Sequence, residues 1–465
     1  MNTLIDTVIN NGFCIGCGIC TAVKDSPFHI EFNEFGMYEA KKDNIDDIEP
    51  ESLLKICPFS STMNETIISK ELFSNIANRK YNDNIGFFTE IKAGHVVDNN
   101  YRLNSSSGGL VSWTIEKLFE NELIDCVIHV KKSLSSNNQL FQYSISNSIT
   151  ELREGKKSRY YPIELSQVLN IIKGDTKKYA IVALPCFIKG IRLLTLNEVG
   201  FTNIKFCIGI ICGQLKSKYF ANLFSLQYSI KANELTDIDF RTKIENQPAG
   251  DYALTMEKKE KNLTRKIITK PANKMFATDW GMGALKYKAC DVCDDVYNET
   301  ADITFGDAWI EPYNKDWKGT NLIIIKNEIF SNLFNEGVIK NEIIVSDLTV
   351  EDAISTQESS IRHRIENIGL RLHIFKQNNS WIPIKRKAPS NDFDLKTISI
   401  QKKRMKISSI SHQAMKIAIK YNSFFLFKII MIPQIVLYNY MRFGIKSLIP
   451  LQIKNYIKSI LRRVK

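Results

Sequence analysis

Several familiar signatures are missing from this sequence, and each absence narrows what it encodes. No G-x-G-x-x-G run occurs, so nothing local announces a dinucleotide held on a Rossmann turn. The start, MNTLIDTVINNGFC, carries Asp6 early and lacks the basic-then-apolar layout of a secretory leader, which makes the cytoplasm the expected compartment. There is no solenoid-type repeat, and no low-complexity tract beyond a general richness in Ile, Asn and Lys. Histidine is scarce at six residues. His29, His95 and His129 are singletons that read as structural, and no general acid stands out. Acidic residues are absent from Lys396 to Lys465, a stretch with 15 Lys or Arg. The other 395 positions hold the remaining 47 of 62 basic residues against all 50 acidic ones, a net charge of −3 where the whole chain carries +12. The body is near neutral and the basicity belongs to one C-terminal segment, so nucleic acid is disfavoured as a partner.

What is present is an ordinary globular composition, 44% apolar and 24% charged, in a chain long enough for two or three domains. It holds ten cysteines. In a reducing compartment these argue for metal ligation or redox chemistry, not disulfides. Cys14-Ile-Gly-Cys17-Gly-Ile-Cys20 places three thiols in seven residues, and Cys57-Pro58 supplies a fourth from a distance. That pattern suits one 4Fe-4S cluster, with Gly16 and Gly18 allowing close backbone approach. Zinc more often takes two separated Cys pairs. Of the other six cysteines, Cys290 and Cys293 form a C-x2-C, and Cys186 follows Pro185 at the end of an apolar run. Cys207 and Cys212 lie five apart in one run and so face opposite sides of a strand. Cys212, at the carboxyl end, is the better ligand candidate. Cys186, Cys212, Cys290 and Cys293 therefore form a candidate second group. From spacing alone a cluster, a zinc site and unligated buried thiols all stand open. Cys126 and Cys207 read as packing residues.

The pattern along the chain is α/β (α+β). FHIEFNEFGMYEA signals a hairpin, with Phe28, Ile30 and Phe32 alternating. A helix is expected from Gly109 to Leu123, and strands at 126–130, 179–184, 205–213 and 321–327. Ser105-Ser106-Ser107-Gly108-Gly109 opens that helix with small residues and free amides, either an anion site or an N-cap with a flexible turn.

At this point the sequence resembles a known family. CIGCGIC with ICP, NSSSGGLVSWTIEKLFENELID, SRYYP, ALPCFIKGIRLL, IGIICGQ, KACDVCDDVYNETADITFGDAW and KGTNLIIIKN, in this order over roughly residues 10–375, are similar to the beta-subunit family of coenzyme F-420 hydrogenases and dehydrogenases, which includes hydroxymethyl-chlorophyll reductases. The resemblance implies FAD as well as a second 4Fe-4S cluster on Cys186, Cys212, Cys290 and Cys293. It implies flavin contacts from the Ser105–Gly109 turn and from Ser158, Arg159 and Tyr160, where the family more often has Ser-Lys-Tyr. Asp307 and Trp309 match a family stretch that reads equally as a structural turn. The expected architecture is a ferredoxin-type domain (1–62), a helical linker (63–92), a mixed-sheet catalytic domain in two parts (93–175 and 176–390) and a basic helical tail (391–465). The implied function is relay of electrons from ferredoxin or another redox protein through the clusters to FAD, and on to coenzyme F-420 or a biosynthetic intermediate, beside a partner oxidoreductase or biosynthetic enzyme. An electron-transfer subunit without its own substrate site and a zinc-binding interaction module are the competing readings.

The tail stands outside the resemblance. Its longest charge-free run, Ile429 to Met441, is 13 residues, against the ~20 needed to span a bilayer. The expectation is an amphipathic helix lying on an anionic membrane at its inner face, with packing on the body as the alternative.

Overall fold

The computed structural model of the chain describes residues 3–44, 47–133, 139–260 and 263–444. Phe28–Phe32 (β1) and Tyr38–Lys42 (β2) pair antiparallel as the alternation requires. Asn33 closes the turn, its side-chain oxygen accepting from the amides of Phe35 and Met37. The segment expected to be a helical linker is helical only over Glu65–Phe73, capped by Asn64. Its Asn82-Asp83-Asn84 turn and Gly86, in the left-handed region, bring the chain back as a second hairpin, Lys80–Asn82 (β3) with Gly86–Phe88 (β4). Ile68, Phe73 and Phe88 are buried, so this segment is part of the core and not a spacer.

Then come Glu90–Val96 (β5), Cys126–Lys132 (β6), Phe141–Ser146 (β7), Tyr179–Ala183 (β8) and Ile204–Ile210 (β9). Leu235–Thr242 (β10), Ala253–Glu260 (β11) and Leu263–Ile268 (β12) form a separate antiparallel meander, and Ile303–Asp307 (β13), Asn321–Ile325 (β14) and Ile343–Asp347 (β15) return to the main sheet. That sheet runs β15-β5-β14-β13-β9-β8-β6-β7. Its middle four strands, β13-β9-β8-β6, are parallel, and antiparallel strands flank them on both sides. Strand periodicity splits each apolar run between two faces. Ala180, Phe206 and Ile208 pack with the helices Leu110–Glu120 and Glu328–Ile339 on one side, whereas Ile181 and Cys207 pack with the helix Pro185–Asn197 on the other. Pro185 occupies the first helical turn, where its missing N–H costs no hydrogen bond.

β9 stops at Ile210, so Cys212 lies in the loop beyond the strand and not on it with Cys207. The N-terminal 60 residues do not keep a core of their own. Phe13, Ile19, Leu53 and Ile56 belong to the same apolar cluster as Phe187 and Ile191. A side chain at Gly190 on the Pro185–Asn197 helix would collide with Ile19, which fixes how closely the two units approach.

The tail is helical, but it is not a free amphipathic arm. Leu395–Lys420 and Phe424–Phe443 pack against each other, and Ile407, Ala414, Met415, Phe427 and Met431 sink into the main core. The charge-free run of 13 residues lies inside a longer helix that passes for a bilayer span by length and composition alone. Lys428 and Arg442 fall near the ends of Phe424–Phe443, so the 20-residue helix is long and apolar enough by length and composition, and most of it is not buried. Residues 445–465 of the expected tail lie outside the described residues.

Candidate metal centres and ligand cavity

Cys14, Cys17, Cys20 and Cys57 border one small apolar cavity, together with Ile15, Ile19, Ile30 and Phe59. Gly16 and Gly18 both sit at positive φ, which lets the loop turn its sulfurs inward. The amides of Gly16 and Ala40 donate to the Cys14 sulfur, each at 3.4 Å. Burial pushes the Cys14 thiol up to about 12, opposed by those two amides, and burial likewise raises Cys17, Cys20 and Cys57. Among the described residues no three His, Cys, Asp or Glu side chains converge on a point where a single metal ion would sit.

The second group is assembled from three places in the chain. Cys186 opens the helix after β8, Cys212 follows β9, and Cys290 and Cys293 lie in and just after the 3₁₀ turn Lys288–Val292. Burial raises the Cys186 thiol far above its ordinary range, and next come the charges of Cys293, Cys212, Cys290 and Cys17. The four are therefore neighbours, and Cys17 of the first group is close by. The Leu215 amide donates to the Cys290 sulfur at 3.2 Å. Cys126 and Cys207 are buried within strands and belong to neither group.

Arg364 tests what this second group can hold. Its side chain is 1% exposed and forks between the Asp295 carbonyl at 2.8 Å and the Gly213 carbonyl at 2.6 Å, tying together the two cysteine loops. Among the described residues it makes no ion pair with a carboxylate; the charges around it are Cys293, Cys212 and Cys290. An arginine does not surrender its proton, and a lone buried cation is costly. Neutral thiols would not offset that cost. Thiolates would, and thiolates are the form that binds metal. The donor set fits an anionic metal–thiolate centre.

Against Cys212 of the second group lies a cavity of about 810 Å³, within the size range of cofactor and substrate sites. It sits where the carboxyl ends of the parallel strands open, lined by Val182–Leu184 after β8, Ile210–Lys216 after β9 and Phe305–Asp307 of β13. That is the usual place for ligands in such sheets. Of the sequence candidates, Ser105, Ser106, Ser107, Gly109, Ser158, Arg159 and Tyr160 line it. Gly108 does not; it is pressed against the Gly94 carbonyl and Asn321.

The turn is not an ordinary serine N-cap. Gly109 holds the cap position at φ +90, and Asn321 accepts from the Leu110 amide at 3.2 Å. Ser105 and Ser107 donate to the carbonyls of Tyr101 and Thr320. Ser106 accepts from the Ser158 amide at 2.7 Å, joining the two candidate flavin segments and leaving its own hydrogen free to donate. Lys243 donates to the carbonyls of Arg102 and Ser107, and burial lowers it to about 7. Arg159 stacks over Phe141 at 4.6 Å and donates to the Ile238 carbonyl.

Asp307 and Trp309 are on the cavity wall too. Asp307 pairs with both arms of Arg241, at 2.7 and 3.2 Å, and the guanidinium lies over Tyr252 and Trp309. Lys216, Arg241, Trp280, His363 and Arg404 also line the cavity and were not legible in the sequence, because each is an isolated residue on a separate element and carries no spacing signal.

Comparison with known proteins adds three findings. Residues 91–170 match the family model for the coenzyme F420 hydrogenase/dehydrogenase beta-subunit N-terminal region, and residues 176–351 match the model for its C terminus. An uncharacterized protein of Methanocaldococcus jannaschii is 25% identical over 267 residues, 57% of this chain and 90% of that protein. A chain of the F420-reducing NiFe hydrogenase complex from Methanosarcina barkeri is similar in structure, with a TM-score of 0.49 and 12% identity, covering 66% of this chain and 98% of that one.

Proposed function

Because the chain belongs to the coenzyme F420 hydrogenase/dehydrogenase beta-subunit family, we propose that it is an iron–sulfur flavoprotein oxidoreductase exchanging electrons between a ferredoxin-type protein and an organic acceptor, coenzyme F-420 or a biosynthetic intermediate. The observation that carries the reading is the gathering of eight cysteines into two groups, the second of which borders one large basic cavity through Cys212. Cys14, Cys17, Cys20 and Cys57 would hold one 4Fe-4S cluster, and Cys186, Cys212, Cys290 and Cys293 the other. Three thiols within seven residues and a fourth before a proline, set around one cavity, suit a multi-atom cluster better than zinc. When bound, the clusters supply one-electron transfer and FAD supplies exchange between one-electron and two-electron chemistry.

The chain's own part is binding, orientation and electrostatics. The Gly16 and Ala40 amides, and the Leu215 amide in the second group, donate to sulfur and favour thiolate over thiol. Arg364 offsets the negative charge of the second group. The Ser106 hydroxyl with Lys156 and Lys157 would receive flavin phosphates, while Tyr160, Tyr252, Trp280 and Trp309 supply apolar walls that exclude water. A cavity of this size favours an enzyme with its own substrate site over a pure electron-transfer subunit.

The exposed stripe Phe425, Ile429, Ile432, Val436, Tyr440 and Phe443, at helical spacing within a segment free of acidic residues, supports docking on an anionic membrane. Anaerobic purification with absorbance, iron and flavin analysis tests the central reading. Broad absorption near ~400 nm with flavin bands and iron in both cysteine groups is expected. Iron without flavin would leave an electron-transfer subunit, and a colourless zinc protein would overturn the proposal.

A further inference from the structure

The family match ends at residue 351, yet the chain beyond it builds part of the large cavity. Arg362 and His363 come from the turn Arg362–Glu366, Lys396 and Arg404 from the helix Leu395–Lys420, and Arg442 from the helix Phe424–Phe443. Among the described residues, the cavity's acidic lining is Asp307 alone, and Arg241 already engages it.

Two of the donors on this wall are buried without a partner. Arg404 is 9% exposed and its Nε–H meets no acceptor; His363 is 4% exposed and its Nε2 meets none. The tautomer of His363 follows from its neighbour. The Arg371 guanidinium, which can only donate, lies 3.2 Å from Nδ1, so Nδ1 accepts. Burial, then the charges of Arg371 and Arg404, holds the ring far below its ordinary range and therefore neutral. Its one proton is on Nε2, which makes that atom a buried donor without an acceptor, on a residue of the cavity wall. Arg442 stands against Gly281, 3.6 Å from Asp279 and 3.4 Å from the Tyr438 hydroxyl. Trp280, next to Gly281, packs over Gly213, so this wall flanks the loop that carries Cys212.

Buried donors without acceptors cost free energy, and Arg404, unlike Arg442 with Asp279 at 3.6 Å, makes no ion pair among the described residues. A ligand bearing negative charge would relieve both. We propose that Arg404, His363 and Arg442 form a subsite for an anionic group, carboxylate or phosphate, of the organic acceptor, distinct from the Ser106, Lys156 and Lys157 region that would receive the flavin phosphates. The inference rests on the flavoprotein reading and adds the substrate class: the acceptor is an anion, gripped by a wall that lies beyond the family match.

The test uses the flavin-loaded full chain and two probes, inorganic phosphate and citrate, titrated by calorimetry into wild type, Arg404→Gln and Arg404→Lys. Deleting a charge-assisted donor weakens binding by about tenfold to a hundredfold. The expected result is that loss for Arg404→Gln with an intermediate effect for Arg404→Lys, while flavin content stays at the wild-type level. Tighter binding of one probe names the group and supports the subsite in either case. Equal affinities in wild type and Arg404→Gln would overturn it. So would loss of flavin from Arg404→Gln but not from Lys157→Gln, because the wall would then hold the flavin's own phosphates. If Arg404→Gln does not fold, Arg442→Gln, on a partly exposed side chain, carries the same comparison. Wild type that purifies without flavin defeats the flavoprotein reading, whereas flavin-loaded wild type with unaltered anion affinity in the variants defeats only the subsite.

Discussion

Cys207 and Cys290 present the same side chain at nearly the same burial, 0% and 7% exposed, yet their alanine variants are expected to behave very differently. Hydrophobic bookkeeping gives each the same modest loss, about 1 kcal/mol for one buried sulfur. At Cys207 nothing more is at stake. Its amide donates to Asp302, and Asp302 pairs with Arg192 at 2.9 Å, so the nearby charges are balanced without the thiol. At Cys290 the sulfur accepts from the Leu215 amide and faces the Arg364 guanidinium. If the second group binds metal, Cys290→Ala empties it, and Arg364 is left as a buried cation without its anion. Removing one partner of a buried charge pair costs about 3–5 kcal/mol. The expected outcome for Cys290→Ala is loss of about four irons per chain and a much lower thermal midpoint. Cys207→Ala should keep its iron and lose about 1 kcal/mol. Iron and sulfide analysis after anaerobic purification, with thermal scans of both variants, measures this. Unchanged iron in Cys290→Ala, or equal iron loss in the two variants, would refute the assignment.

Three further outcomes are expected. Arg364→Gln should lower the midpoint potential of the second centre, read by redox titration with electron paramagnetic resonance, while Arg364→Lys stays near wild type; equal shifts in both centres would rule out a local role for the charge. His129 and His412, both buried and lowered mainly by burial to about 4, bind a proton in the unfolded chain near its ordinary 6.5 but not in the fold. Stability should therefore fall as pH drops from 6.5 to 4, by on the order of 3 kcal/mol for each. His412→Gln should flatten that decline in thermal scans from pH 7 to 4, and parallel curves would contradict it. Finally, Phe425→Ser combined with Ile432→Ser should reduce co-sedimentation with anionic vesicles without disturbing the core, since both side chains are exposed; binding equal to wild type would remove the membrane reading.

What the sequence determined by itself is whatever a short stretch of chain encodes. Cys14, Cys17 and Cys20 are legible because one loop with two left-handed glycines carries all three, and the strands at 126–130, 179–184 and 321–327 are legible because apolar runs bounded by turns have few alternatives. The mixed α/β class follows from their alternation with helices. Only the tertiary structure decided which remote side chains meet. Cys186, Cys212, Cys290 and Cys293 become neighbours because β8 and β9 are parallel and adjacent, with carboxyl ends that open on the same side, and the Lys288–Val292 turn brings the other two cysteines to them. Arg364, Arg404 and His363 reach the cysteines and the cavity from elements that no spacing rule connects. The fate of the tail was likewise a question of packing. Its basic, apolar composition allows an interfacial helix, but Ile407, Met415, Phe427 and Met431 find a more favourable place in the core, which turns the segment into one wall of the site and leaves an apolar stripe of Phe424–Phe443 facing outward.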